Sequence, residues 1–404
     1  MNAHRAIEFL GLRRSIVGLL GMAVLVGLGE KMAERFLPIY LLALGGGPVV
    51  VGVLQGLTNL VSALYSYPGG YLADRIGPKR SLLVFNLAAM AGYLIVIVIP
   101  AWPAVIVGSL LFLSWSAVSL PATMNLIARV LPANKRTMGV TMHSLVRRVP
   151  MALGPLLGGV IIAVWGAEVG VRASFGIALL LAGVALVFQQ RLIEPDAAIG
   201  ADAEVRRRLR RHPFQLFIDM SPGLRHLLIS DILIRFCEQI PYAFVVIWCM
   251  NRIASPVSAF EFGVLTAIEA TTAALVYIPV ARQADRLGKK PFVLLTFVFF
   301  TLFPLALIFC RSFWPLAAAF VLRGLKEFGD PTRKALILDL CPDDRRATMF
   351  GFYYLVRDLI VSVAAFGGAF LWAYAPSANF ITAFAFGVMG TIWFALRGTG
   401  VERA

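Results

Sequence analysis

Charge is scarce in this sequence. Only 15% of its 404 residues are Asp, Glu, Lys or Arg, whereas 59% are hydrophobic and the mean hydropathy is +0.81. A water-soluble fold of that size needs a polar coat, and too few polar side chains are present to make one. Soluble and disordered classes are thereby excluded, and the membrane class is left, where runs of about 20 apolar residues span the hydrocarbon. Histidine is scarce as well, with four in all, and Cys237, Cys249, Cys310 and Cys341 show neither CxxC spacing nor histidine companions. Nothing there reads as a zinc site or a disulfide framework, so the cysteines are expected to behave as small hydrophobes. No activated nucleophile and no phosphate-binding loop is legible, so neither an enzyme nor a cofactor nor a metal is expected. A small-residue cleavage site is also lacking after the basic amphipathic lead at 4–14, so the chain is expected to keep its N-terminus.

What is present is apolar length. Twelve apolar segments lie near 16–44, 50–72, 81–99, 104–130, 139–165, 171–190, 226–250, 258–281, 291–310, 314–340, 348–374 and 378–396. The net charge of +15 would by itself point to nucleic acid. Its placement does not. The basic residues crowd the N-terminal lead and alternate connections (Arg75, Lys79 and Arg80; Lys135 and Arg136; the run at 206–211; Arg282, Arg286, Lys289 and Lys290; Arg345 and Arg346), and the intervening connections carry almost none. That asymmetry is the positive-inside pattern of a multi-pass plasma-membrane protein, such as one of the bacterial inner membrane, with both termini in the cytoplasm. Without aromatic-basic interleaving no nucleic-acid partner is expected, and the lipid bilayer is.

The chain is also written twice. Residues 70–80, GYLADRIGPKR, recur at 281–291 as ARQADRLGKKP, which places Asp74 and Asp285 211 positions apart. GVL at 52–54 recurs at 263–265, Pro68 pairs with Pro279, Pro121 with Pro331, and the step from Arg136 to Arg147 with that from Arg346 to Arg357. A repeat of this length predicts an all-α membrane protein of two pseudo-symmetric six-helix bundles in the same orientation. The bundles are expected over 1–190 and 226–404. The polar stretch at 191–225, with RRRLRR at 206–211, forms a cytoplasmic linker against anionic headgroups.

Residues 70–80 resemble the loop signature between helices 2 and 3 of the major facilitator superfamily. Gly70, Leu72, Asp74, Arg75, Gly77, Lys79 and Arg80 match it, and Pro78 stands where a basic residue is usual. The second copy keeps Asp285, Arg286, Gly288, Lys289 and Lys290 but has Ala281 and Gln283 at the first two signature positions. The resemblance covers the whole chain and implies a twelve-helix secondary transporter that works by alternating access, needs no cofactor and functions as a monomer. Gly154, Pro155, Gly158 and Gly159 are similar to the GPxxGG signature of the drug-antiporter-like branch. Pro150 replaces the usual preceding glycine, however, and 111–125 lacks the arginine of many proton-coupled exporters. Ordinary small-residue packing is the other reading of that motif.

The informative residues are ionisable groups inside apolar segments, each costing about 3 kcal/mol or more if isolated in the membrane. Segment 1 carries Glu30, Lys31, Glu34 and Arg35, with Glu30 roughly 21 Å along the helix at 1.5 Å per residue. Segment 7 carries Asp231, near the cytoplasmic headgroups, and then Arg235 and Glu238 on the same face. Segment 10 carries Arg323, Lys326, Glu327 and Asp330 before Pro331, with Arg323/Glu327 and Lys326/Asp330 spaced as i,i+4 pairs and Arg333 and Lys334 approaching the cytoplasmic face. Segment 8 adds Glu269. Either these groups neutralise one another and hold the helices together, or they line a central cavity where an acid takes up a proton in exchange for substrate. By the resemblance, helices 1, 4, 7 and 10 line that cavity. The favoured expectation is proton-coupled export of a small organic or amphiphilic solute with a polar or zwitterionic portion. Its rivals are symport uptake of an organic anion held by Lys31, Arg323 and Lys326, and a non-transporting receptor or assembly factor with the same fold. The loop signature is expected to act as a cytoplasmic latch: Asp74 toward Arg345 or Arg346, Asp285 toward Arg136, with Gly70, Arg75, Gly77, Arg80, Arg286 and Gly288 shaping the two elbows.

Overall fold

The computed structural model describes residues 14–112, 123, 146–194, 217, 220–341 and 346–399; the side chains at 14, 16, 63, 65–75, 78, 277–287, 331, 335, 338 and 346–348 lie outside that description. Every described element is a helix, in the order α1 (Arg14–Glu34), α2 (Leu37–Ala43), α3 (Pro48–Ile76), α4 (Pro78–Val98), α5 (Trp102–Phe112), α6 (Arg148–Leu192), α7 (Pro222–Gln239), α8 (Phe244–Asn251), α9 (Ala259–Leu287), α10 (Lys290–Phe309), α11 (Phe313–Leu325), α12 (Asp330–Leu340), α13 (Arg346–Tyr374) and α14 (Pro376–Arg397). Among the described residues seven stretches are long and apolar enough to cross a membrane. Each of the twelve expected spans has a helical counterpart, the fourth only as far as Phe112 within the described residues. Spans 5 and 6 run together in α6, but Gly166 (φ 76°, ψ 173°) turns the chain between them, and a Cβ on Gly170 would lie 2.7 Å from the Ile162 Cα. A hairpin that tight needs glycine at both places.

Three expected spans are each two helices separated by a break. α1 gives way to α2 at Arg35 and Phe36, α7 to α8 over 240–243, and α11 to α12 over 326–329. Pro38, Pro241 and Pro331 stand just after or within these breaks, where a missing N–H and a ring that clashes with the i−4 carbonyl prevent a continuous ladder. Short i→i−3 bonds take its place, from Phe36 N–H to Ala33 O (3.0 Å), Phe244 N–H to Pro241 O (2.8 Å) and Glu327 N–H to Gly324 O (3.2 Å).

The described residues fall into two compact units, Met1–Gly45 with Val61–Ala203, and Gly46–Leu60 with Glu204–Ala404. In the first, α1 lies along α6, with rings of Tyr93, Phe112 and Phe175 packed at 5.1–5.7 Å beside them. The α1–α6 contact is backbone-close. A Cβ on Gly154 would meet the Lys31 Cβ at 2.6 Å, and one on Gly158 would run into the Met32 carbonyl. Lys79 donates to the carbonyls of Gln190 (3.0 Å) and Ile193 (2.5 Å), and so caps the end of α6 with a cation. The second unit is cored by Leu224, Leu227, Ile234, Phe297, Leu336, Tyr353 and Phe394. It repeats the close approach, since a Cβ on Gly368 would run into the Ile240 carbonyl. The two loop signatures also share one backbone form: Gly77 has φ 93°, ψ 153° and Gly288 has φ 88°, ψ 157°. Side chains rarely enter that region, so each copy requires its glycine.

Candidate functional site

The broken helices carry the charges. In the second unit Glu238, on the last turn of α7, accepts from Arg235 Nη1 (2.5 Å) and from Lys326 Nζ (2.5 Å), the latter at the end of α11. Glu327 Oε1 lies 3.9 Å from the same ammonium. One turn back on α11, Arg323 Nε stands 3.2 Å from Glu269 Oε1 of α9. That approach depends on Gly324, where a Cβ would be 2.6 Å from the Glu269 carbonyl oxygen. Rings complete the setting. Phe303, Phe320 and Tyr242 surround the Arg323 guanidinium at 5.1, 5.5 and 5.8 Å, and Phe300 lies 4.8 Å from Lys326 Nζ. Such faces attract desolvated cations. Glu238, Arg323 and Lys326 line, with Tyr242, Phe300 and Phe303, a small cavity with room for about one water molecule.

A second ionic group lies further along α7. Asp231 is fully buried and accepts from Arg333 Nη1, from Tyr353 OH (3.1 Å) and from Arg357 Nη1 (3.3 Å). Asp330 holds Arg333 Nη2 (2.6 Å) and Lys334 (2.7 Å), and Asp358 holds Arg357 Nε (2.7 Å). This group ties α7, α12 and α13 together and does not line the cavity. Beside α7, Asn59 Nδ2 donates to Gln239 Oε1 at 2.9 Å, with Gln55 Nε2 at 3.4 Å from the same oxygen.

In the first unit Lys31 is shared by two acids, Glu30 (3.2 Å) and Glu34. Arg147, at the start of α6, acts electrostatically on both, and Arg35 acts on Glu34. Gly154 and Gly158 touch α1 at Lys31 and Met32, so the small-residue motif supports the turn that carries these acids.

Several expectations are corrected. Arg323/Glu327 and Lys326/Asp330 are not the pairs made: Arg323 turns to Glu269, Lys326 to Glu238, and Asp330 to Arg333 and Lys334. The break at 326–329 removes the helical rise on which i,i+4 spacing depends. Asp231 and Arg333 bury each other within the protein, at 0% and 1% exposure. The latch residues Asp74, Arg75, Arg136, Asp285, Arg286, Arg345 and Arg346 have side chains outside the description, as does Gly70. Gln55, Asn59, Gln239 and Tyr353 were not singled out by the sequence. Gln55 and Asn59, one turn apart in an apolar run, are the signal that would have found the first two. Among the described residues no three His, Cys, Asp or Glu side chains converge as a metal site.

Comparison with known proteins agrees with this architecture. The sequence pattern of the Major Facilitator Superfamily matches residues 19–254 and 227–403. An uncharacterized MFS-type transporter of Methanocaldococcus jannaschii is 21% identical over 362 residues, covering 88% of this chain and 87% of that protein. Among solved structures, a POT family transporter in complex with 5-aminolevulinic acid superposes with a TM-score of 0.76 at 12% identity, covering 95% of each chain. The nucleoside transporter NupG gives 0.77 at 12% identity, covering 95% of this chain and 100% of that one. A bacterial homolog of the human lysosomal transporter Spinster, inward-facing and unoccupied, gives 0.67 at 12% identity over 96% and 98%. With the pattern matched along both halves and the fold matched end to end, the chain belongs to the major facilitator superfamily and is a multi-pass membrane transporter of that type.

Proposed function

We propose that the protein is a plasma-membrane, proton-coupled antiporter that exports a small organic solute by alternating access, with both termini cytoplasmic. Two six-helix halves, 1–190 and 226–404, work about the linker at 191–225 as a single-chain machine. The observation that carries this reading is the coincidence of helix breaks with buried charge: α1, α7 and α11 each end within a turn or so of Glu34, Glu238 or Lys326. Discontinuous helices place freed backbone groups and side chains around solute and coupling ion in transporters.

Charge bookkeeping assigns the roles. Lys31 has two carboxylates, so a proton on Glu30 or Glu34 leaves the lysine paired with the other. A proton on Glu238 instead strips the nearest anion from Arg235 and Lys326 together. The acids of α1 are therefore the proton carriers in this scheme, and the Glu238 group shapes the solute site. Export is supported by the motif at Gly154, Pro155, Gly158 and Gly159, which braces the acid-bearing turn. The test is proton movement driven by a solute panel in vesicles holding an internal pH dye. Loss of coupling in Glu30→Gln or Glu34→Gln is the expected result.

A further inference from the structure

The break in α7 leaves one carbonyl in need of a donor. In an unbroken helix the Phe244 N–H would serve Ile240 O, but it donates to Pro241 O at 2.8 Å instead. Asn379, on the first turn of α14, supplies the missing donor. Its Nδ2 donates to Ile240 O at 3.1 Å and to Gly368 O of α13 at 2.7 Å. Both partners are carbonyl oxygens, so only the nitrogen side of the amide can serve them. Asn379 is fully buried, and its Oδ1 has no hydrogen-bond partner among the described residues. An interior amide with its oxygen unmatched is unfavourable unless its donors are needed. The setting is apolar, with rings of Phe244, Trp248, Trp372 and Phe380 packed against one another at 4.8–6.0 Å. α13 approaches this closely because residue 368 is glycine, where a Cβ would run into the Ile240 carbonyl.

We propose that Asn379 is a positioning residue for Glu238: its amide replaces the missing helical donor and holds the α7 break open, which fixes the turn that presents Glu238 to Lys326. Glu238 lies two residues before Ile240, on the last turn of α7. Pro241 breaks the ladder, since it lacks an N–H and its ring clashes with the carbonyl four residues back. Asn379 then satisfies the carbonyl that the break frees, by inserting a side chain into the ladder. The consequence for solute rests on the reading that the Glu238 group shapes the solute site, but the local role of Asn379 does not.

The experiment uses the full chain in lipid nanodiscs. Leucine has nearly the shape of asparagine and no donor, so Asn379→Leu removes both bonds and is expected to lower the unfolding midpoint. Pro241→Ala returns the N–H and relieves the clash, which lets the Phe244 N–H reach Ile240 O. The loss caused by Asn379→Leu is therefore expected to be smaller in the Pro241→Ala background. If Asn379→Leu alone does not fold, the double variant is expected to restore a monodisperse protein. Spin labels at Ile229→Cys and Asn251→Cys, exposed on α7 and α8, read the distance across the break by double electron–electron resonance, with the four native cysteines replaced by alanine. Asn379→Leu is expected to shift or broaden that distance, which loss of a residue that only fills space would not do. A leucine variant as stable as the wild type, a double variant no better than the sum of its parts, or an unchanged distance would each overturn the assignment. None of these readouts uses a solute, so their failure removes only the role of Asn379. The transporter reading fails separately, by an absence of solute-driven proton movement in wild-type vesicles.

Discussion

Lys326 and Glu238 meet at 2.5 Å where two broken helices end, one closing α11 and the other on the last turn of α7. Glu238 also holds Arg235 one turn back on its own helix, whereas Lys326 reaches it from another element. Their pairing joins the two breaks, and the cavity opens beside it.

Removing Glu238 leaves Lys326 and Arg235 without their nearest anion, and removing Lys326 leaves the buried carboxylate with Arg235 alone. Glu238→Gln and Lys326→Gln are each expected to destabilise the protein by about 3 to 5 kcal/mol. The double variant is expected to recover the part of that loss due to Lys326, while Arg235 still lacks its carboxylate. Thermal unfolding in detergent, read as a double-mutant cycle, checks this. Additive losses would mean that the two do not act as a pair.

Asp231 organises a separate group, and its loss should damage the fold and leave solute choice alone. Asp231→Asn deprives Arg333 and Arg357 of a shared anion and is expected to cost about 3 to 5 kcal/mol. Asp358→Asn removes a partner from the rim of the group and is expected to cost under about 1 kcal/mol. Unfolding midpoints, with solute selectivity measured on the surviving protein, separate the two. A selectivity change in Asp231→Asn would place it in the solute site instead.

Much of this was legible in advance and some was not. Apolar length, the positive-inside pattern and the 211-residue repeat carried the fold, because a bilayer leaves a chain few alternatives. The matched backbone of Gly77 and Gly288 is the repeat seen at the level of dihedral angles. The burial of Glu30 and Glu269 was legible from position within an apolar run. Their partners were not. Helical spacing pairs Arg323 with Glu327 only while the helix continues, and the turn at 326–329 hands each charge to another element. The pairing of Asp231 with Arg333 and Arg357 was hidden for a related reason: contact between three helices is set by packing that no single segment reveals.

Gly158 tests the support given to the acids of α1. A side chain there must displace the Met32 backbone, so Gly158→Val is expected to destabilise by about 1 to 3 kcal/mol and to impair transport by shifting Lys31. Gly176→Val, at an open position on the same long element, is the control. Equal behaviour of the two variants in unfolding and flux would show that the close crossing has no special role.

The loop signature is proposed as a latch. Asp74→Ala is expected to shift the population toward the inward-open state without altering solute preference. Cysteine accessibility from the cytoplasmic side reads the first, and competition among solutes reads the second. Altered preference with an unchanged state distribution would refute the latch.

The most direct measurement is solute-driven proton movement in reconstituted vesicles, made in parallel for the wild type and for Glu30→Gln, Glu34→Gln, Glu238→Gln and Glu327→Gln. The account predicts that the wild type couples the two flows. In Glu30→Gln or Glu34→Gln, solute should still exchange while the proton signal falls at least tenfold, whereas Glu238→Gln should weaken solute movement itself. Proton-coupled flux that survives intact in both Glu30→Gln and Glu34→Gln would contradict the assignment of coupling to the acids of α1.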